Sequence, residues 1–345
     1  MHPSVSAGLG RRVRCALALI PFALAGCGGG GDGGREYFYN GPAIVSPVIQ
    51  GTVNEYAASI SAVDSTISPA YGGLFAYLPV AGAKRPQLFV FLPASTLTPS
   101  SYRLIGEYAA VAGLYSIGLP YPNAQAVNAL CTGSADAHCH GDVRQALLAG
   151  GTVSQTVPAL SVGSSDAIQH RLAQALNYLN TTYPSAGWGQ FLDASGKVLW
   201  NKVRVGGHGE GGAQAAYIAT QIPVAQACLV SAPGDTVGGL PAPWVTAATT
   251  ASATPGSQFF AFTHLQDATT TFATLQAAWA ALGLTGAPTS VDGAAAPYGG
   301  SHELTSNLSL GWQVDDHLVT AVDAVTPLNA DGTASYAPAW TAACF

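Results

Sequence analysis

Two early segments, 52–60 and 73–80, alternate apolar and polar positions between turn-forming residues, which predicts a pair of antiparallel strands. The next apolar segment, QLFVFLPAS at 87–95, is continuous rather than alternating. That pattern suits a strand buried on both faces of a parallel sheet. Pro99 then opens a predicted helix in which Tyr102, Ile105, Tyr108, Ala109 and Ala112 recur at helical spacing, and 114–120 reads as another strand. A strand, a helix and a strand in about thirty residues make one βαβ unit.

The pattern loses its periodicity over 121–165, which reads as a long irregular excursion. It returns at Asp166, placed to cap a helix whose apolar stripe is Ile168, Leu172, Leu176, Leu179 and Tyr183. Beyond it come strands at 225–233 and 259–264, a helix over 269–284 and a short strand at 288–291. The alternation predicts an α/β fold with a mostly parallel central sheet and helices on both faces. No internal repeat or break in composition divides 51–345, which is expected to be one domain.

Composition agrees, since 48% hydrophobic against 9% charged residues can bury a large core. It also marks off the N-terminus, where Arg11, Arg12 and Arg14 precede the apolar run CALALIPFALA, too short to span a bilayer. The run ends in Leu24-Ala25-Gly26-Cys27, which resembles the lipobox of bacterial lipoproteins. The resemblance implies that 1–27 is a leader, that Cys27 carries a lipid anchor in the membrane of the cell envelope, and that Gly-rich 28–50 is a tether. The formal charge of −6 understates the acidity of the remainder, because three of the twelve basic residues lie in the leader. Nucleic acid is therefore not an expected partner.

Setting aside Cys15 and Cys27, four cysteines remain in an exported chain: Cys131, Cys139, Cys228 and Cys344. They are expected to form disulfides, Cys131 with Cys139 as a local clip and Cys228 with Cys344 tying down the terminus. A metal site at CTGSADAHCH, using Cys131, His138, Cys139 and His140, is the rival, but its spacing matches no regular zinc pattern. No metal or other cofactor is expected.

Between these elements lies VRVGGHGEGGAQAAYIAT, 203–220: a strand, a glycine-crowded turn and a helix in succession. This is the frame of a nucleophile elbow, G-x-S-x-G, in which small residues two before and two after the tip let strand and helix approach. Gly207 and Gly211 occupy the small positions. The tip is Gly209, so the frame lacks its hydroxyl. GGHGEGGAQAAYIA resembles the GHSxGG elbow of bacterial esterases and lipases. Together with the cysteine pair ahead of GDVR, DAIQHRLAQAL and GWGQFL, it looks like a little-characterised family of secreted bacterial α/β-hydrolases, over about 52–345.

That resemblance implies a triad in the order nucleophile, acid, histidine, and an ester or other small-molecule ligand whose identity it does not give. Asp267, after the strand FFAFTH, matches the acid, with Asp235 as the alternative. His302, in a GxSH context like that of cutinase-like esterases, is the first candidate for the histidine, and His317 is the second. The oxyanion donors would be the amide of Glu210 and one from Ala94 or Ser95. His208, His138, His140, His170 and His264 read as structural.

A glycine tip leaves three readings open. The chain is a catalytically dead binding protein using the old cleft; or the acid and histidine activate a water admitted by the missing side chain; or Glu210 is the nucleophile, as carboxylates are in the dehalogenase and epoxide-hydrolase branches of the fold. A phosphate loop is excluded by the lack of a GK[ST] ending or a basic residue at the turn.

Overall fold

A computed structural model describes residues 52–308 and 314–345. The leader, Cys27 and the tether lie outside the described residues. The chain builds a nine-stranded sheet from β1 (Val53–Ala58), β2 (Leu74–Pro79), β3 (Leu88–Leu92), β4 (Tyr115–Gly118), β5 (Val203–His208), β6 (Gln226–Val230), β7 (Phe259–His264), β8 (Thr289–Ser290) and β9 (Glu303–Ser306). Across the sheet they run β1-β2-β4-β3-β5-β6-β7-β9-β8. Only the pairings made by β2, with β1 and with β4, are antiparallel. From β4 onward every neighbour is parallel.

Burial of both faces explains the continuous apolar runs. In β3, Leu88, Val90 and Leu92 enter one core while Phe89 and Phe91 enter the other. The second core is closed by α1 (Arg103–Val111) and by α7 (Ala337–Cys344) at the C-terminus. The first is covered by α2 (Cys139–Ala149), α3 (Ile168–Thr182), α4 (Glu210–Gln221), α5 (Pro243–Ala251) and α6 (Phe272–Leu282). This is an α/β architecture consistent with the α/β-hydrolase fold.

Cys131 is bonded to Cys139, and Cys228 to Cys344. The second bond ties α7 to β6 in the middle of the sheet.

Three expectations need correction. Asp166 does not cap α3, whose N-cap is Ala167. Its carboxylate instead accepts from Arg171 at 2.5 Å and from the Ser68 amide at 2.8 Å. The segment 121–165 is not structureless, for it contains α2 and a hairpin of Gly151–Val153 with Leu160–Val162. The strand at 288–291 is not the last of the sheet, because β9 follows it and pairs with both β8 and β7.

Candidate active site

Parallel strands put their C-terminal ends along one edge, and the loops leaving those ends form the site. Gly209 follows β5 and precedes the first turn of α4, at φ +50° and ψ −113°. A side chain at such a φ is strained by about 1–3 kcal/mol. The turn is held by Gly209 N–H donating to Val230 O on β6 at 2.8 Å. Its glycine frame is sterically required: a Cβ on Gly207 would stand 2.3 Å from the Gly211 carbonyl carbon, and one on Gly211 2.0 Å from Leu92 O.

The tip faces a histidine. A Cβ built on Gly209 would lie 2.8 Å from His317 Nε2, 3.3 Å from His317 Cε1 and 3.5 Å from Ala94 Cβ. His317 Nδ1 is 2.7 Å from Asp267 Oδ2. A carboxylate only accepts, so Nδ1 carries the proton and Nε2 presents its lone pair towards the tip. Asp267 Oδ1 also accepts from the amides of Thr269 and Thr270, at 2.8 and 2.9 Å. Burial pushes the Asp267 carboxyl up, but the bonds from His317 and these amides outweigh it and hold it below the usual carboxylate range.

His208, before the tip, fixes the position of this pair. Its Nε2 lies 2.9 Å from His317 O, which can only accept, so Nε2 donates. Nδ1 then accepts from Tyr102 Oη at 2.9 Å, and Tyr102 Oη in turn accepts from the Ala94 amide at 3.2 Å. One chain of bonds therefore joins the loop after β3 to the loop bearing His317. The His208 ring also packs against that of His317, with centroids 4.4 Å apart. Burial, reinforced by neighbouring His317, pushes His208 down to about 3 and keeps it neutral at ordinary pH. Tyr102 carried no signal in the sequence beyond its place on a helical stripe.

Other sequence candidates lie elsewhere. His302 is at the opposite edge of the sheet: its Nδ1 is 3.0 Å from Phe259 O at the start of β7, and its ring stacks on Phe260 at 3.8 Å. It precedes β9, so a parallel strand must still be crossed before the chain reaches the edge where Gly209 sits. Asp235 leaves β6 at the correct edge, but Arg144 Nε and Nη2 bind both its oxygens at 2.6 Å, and Trp244 Nε1 donates to it at 2.7 Å. Burial raises its carboxyl, yet the Arg144 guanidinium prevails and holds it low.

Glu210 is turned away from the tip. Its Oε1 accepts from Arg144 Nη1 at 2.7 Å and its Oε2 from the Val127 amide at 2.9 Å. With both oxygens engaged beneath the elbow, the carboxylate is not presented as a nucleophile. Its backbone amide, at the start of α4, remains on the tip. Ala94, one of two candidates for the second oxyanion donor, has its amide bonded to Tyr102, which leaves Ser95 as the other.

The position that the missing side chain leaves open is faced by His317 Nε2 at 2.8 Å from where a Cβ would stand. Among the described residues no group of three or more metal-ligating side chains is placed to hold an ion. Cys131 and Cys139 are joined to each other, and His140 Nε2 is 2.9 Å from Asn128 Oδ1.

No family model matches the chain, and no curated protein is similar to it at a significant level.

Proposed function

We propose that this chain is an esterase-type α/β-hydrolase in which the acid–base pair, Asp267 and His317, has outlived the serine it served, leaving a protein weak or inactive towards carboxylic esters. The observation that carries this reading is the direction of the Gly209 Cα–Cβ vector, which aims a side chain at His317 Nε2. A histidine oriented by a buried carboxylate and facing a glycine-framed strand-to-helix turn has the geometry of a triad lacking one oxygen. The Glu210 amide, with that of Ser95, would receive the developing oxyanion. Cys27 would anchor the protein to an envelope membrane and 28–50 would tether the domain to it.

Gly209→Ser tests the site. The variant is expected to raise kcat/KM for p-nitrophenyl acetate by about 100-fold or more, since loss of a triad serine elsewhere removes far larger factors. It should also lose about 1–3 kcal/mol of stability in urea unfolding, from the positive φ and from the displacement that a Cβ 2.8 Å from Nε2 forces on His317. An unchanged rate in a folded variant would overturn the reading.

A further inference from the structure

His317 Nε2 is the heavy atom that a side chain starting at residue 209 would meet first. It is nearer to the Cβ position of residue 209 than the Ala94 methyl that walls the same space. Nδ1 is committed to Asp267, and Nε2 has no hydrogen-bond partner among the described residues. The His317 side chain keeps 9% of its surface exposed while that of Asp267 keeps none.

We infer that His317 is itself the nucleophile of this site, with acyl groups on activated leaving groups, such as p-nitrophenyl esters, as its substrates. The inference rests on the proposed reading of the cleft as an esterase site. In the first step the Nε2 lone pair forms a bond to the acyl carbon, and the carbonyl π pair moves onto oxygen beside the Glu210 amide. Collapse of that adduct breaks the bond to the leaving group, which departs with its electron pair and takes a proton from solvent. The product is an acylimidazolium, its positive charge balanced across Nδ1–H by Asp267. Water then adds to the acyl carbon, the C–N bond breaks, and carboxylate and two protons are released to solvent with His317 neutral again, one of them replacing the proton taken up by the leaving group.

Leaving-group selectivity follows from this chemistry. The tetrahedral adduct expels the weaker base more readily, so only an activated aryloxide such as p-nitrophenolate competes with imidazole for departure, whereas an alkoxide does not. A serine alkoxide has no such restriction. The parent protein should therefore turn over p-nitrophenyl acetate and not ethyl acetate, and Gly209→Ser should accept both.

The test uses the full-length protein and p-nitrophenyl dimethylcarbamate, whose carbamoyl adducts hydrolyse slowly enough to isolate. The expected result is release of one equivalent of p-nitrophenolate, a gain of one dimethylcarbamoyl group in the intact mass, and its location on the peptide containing His317. His317→Gln should lose the adduct, and Asp267→Asn should form it at least tenfold more slowly. Turnover of p-nitrophenyl acetate by the parent without an adduct at His317 would overturn the inference. So would a label on any other residue. If the parent is silent while Gly209→Ser is active, His317 serves only as a base: the inference falls and the esterase reading stands. Silence of both folded proteins would remove the esterase reading as well.

Discussion

At the scale of single residues, the site depends on which protons sit where, and burial of His208 couples its proton to folding. Its pKa is pushed down to about 3 in the fold, whereas an unfolded histidine titrates near 6.5. Between those values the unfolded chain binds the extra proton, so stability rises with pH across that window and is lost as pH falls from about 6.5 towards 3. The expected contribution is at most about 1.4 kcal/mol per pH unit. Urea unfolding of the parent and of His208→Gln between pH 4 and 7 should show the flatter profile in the variant. Parallel profiles would mean that His208 is not held neutral in the folded protein. Asp267 acts at lower pH with the same sign: its stabilisation is present above the unfolded carboxylate value and is lost as pH falls through its depressed folded one.

At the scale of elements, the elbow is braced from below by α2, which supplies Arg144 to both Glu210 and Asp235. Arg144→Met would leave two buried carboxylates without their cation, at a cost of about 3–5 kcal/mol measurable by denaturant unfolding. Glu210→Gln keeps acceptors for Arg144 and Val127 and should lose far less. In the Gly209→Ser background it should also retain esterase activity, whereas its abolition would restore Glu210 as a nucleophile. This brace was not legible in the sequence because α2 turns His140 and Arg144 inward, and a buried face made partly of charged residues shows no apolar stripe. The strands β2 to β7 were legible because their burial writes long apolar runs, and the exposed edge strand β1 because its sequence alternates between turn-forming flanks. Strand β9, only ELTS, is short and polar, and missing it misplaced the end of the sheet. The preference for His302 over His317 rests on that placement as well as on its GxSH context, and one unseen strand decides which edge a histidine reaches. The elbow itself was legible down to Gly207 and Gly211, because close approach of strand and helix leaves no alternative residue.

At the scale of the whole molecule, the chain wraps one sheet with helices and then returns α7 to the sheet's centre, where Cys344 joins Cys228. On the proposed reading the N-terminal segment places the domain at a membrane and takes no part in its chemistry. Cys27→Ser is accordingly expected to move the protein from the membrane to the soluble fraction, with its activity towards p-nitrophenyl acetate unchanged; retention in the membrane fraction would contradict the lipid anchor. The sheet also supplies the most direct test of the central claim, since it carries His317 to the edge bearing Gly209 and His302 to the opposite one. The measurement is kcat/KM for p-nitrophenyl acetate in Gly209→Ser, alone and combined with His317→Ala or His302→Ala. The account predicts that His317→Ala abolishes the gained activity and that His302→Ala leaves it within about a factor of three, as expected for a residue acting only through packing. Loss with His302→Ala and survival with His317→Ala, in folded proteins, would contradict it.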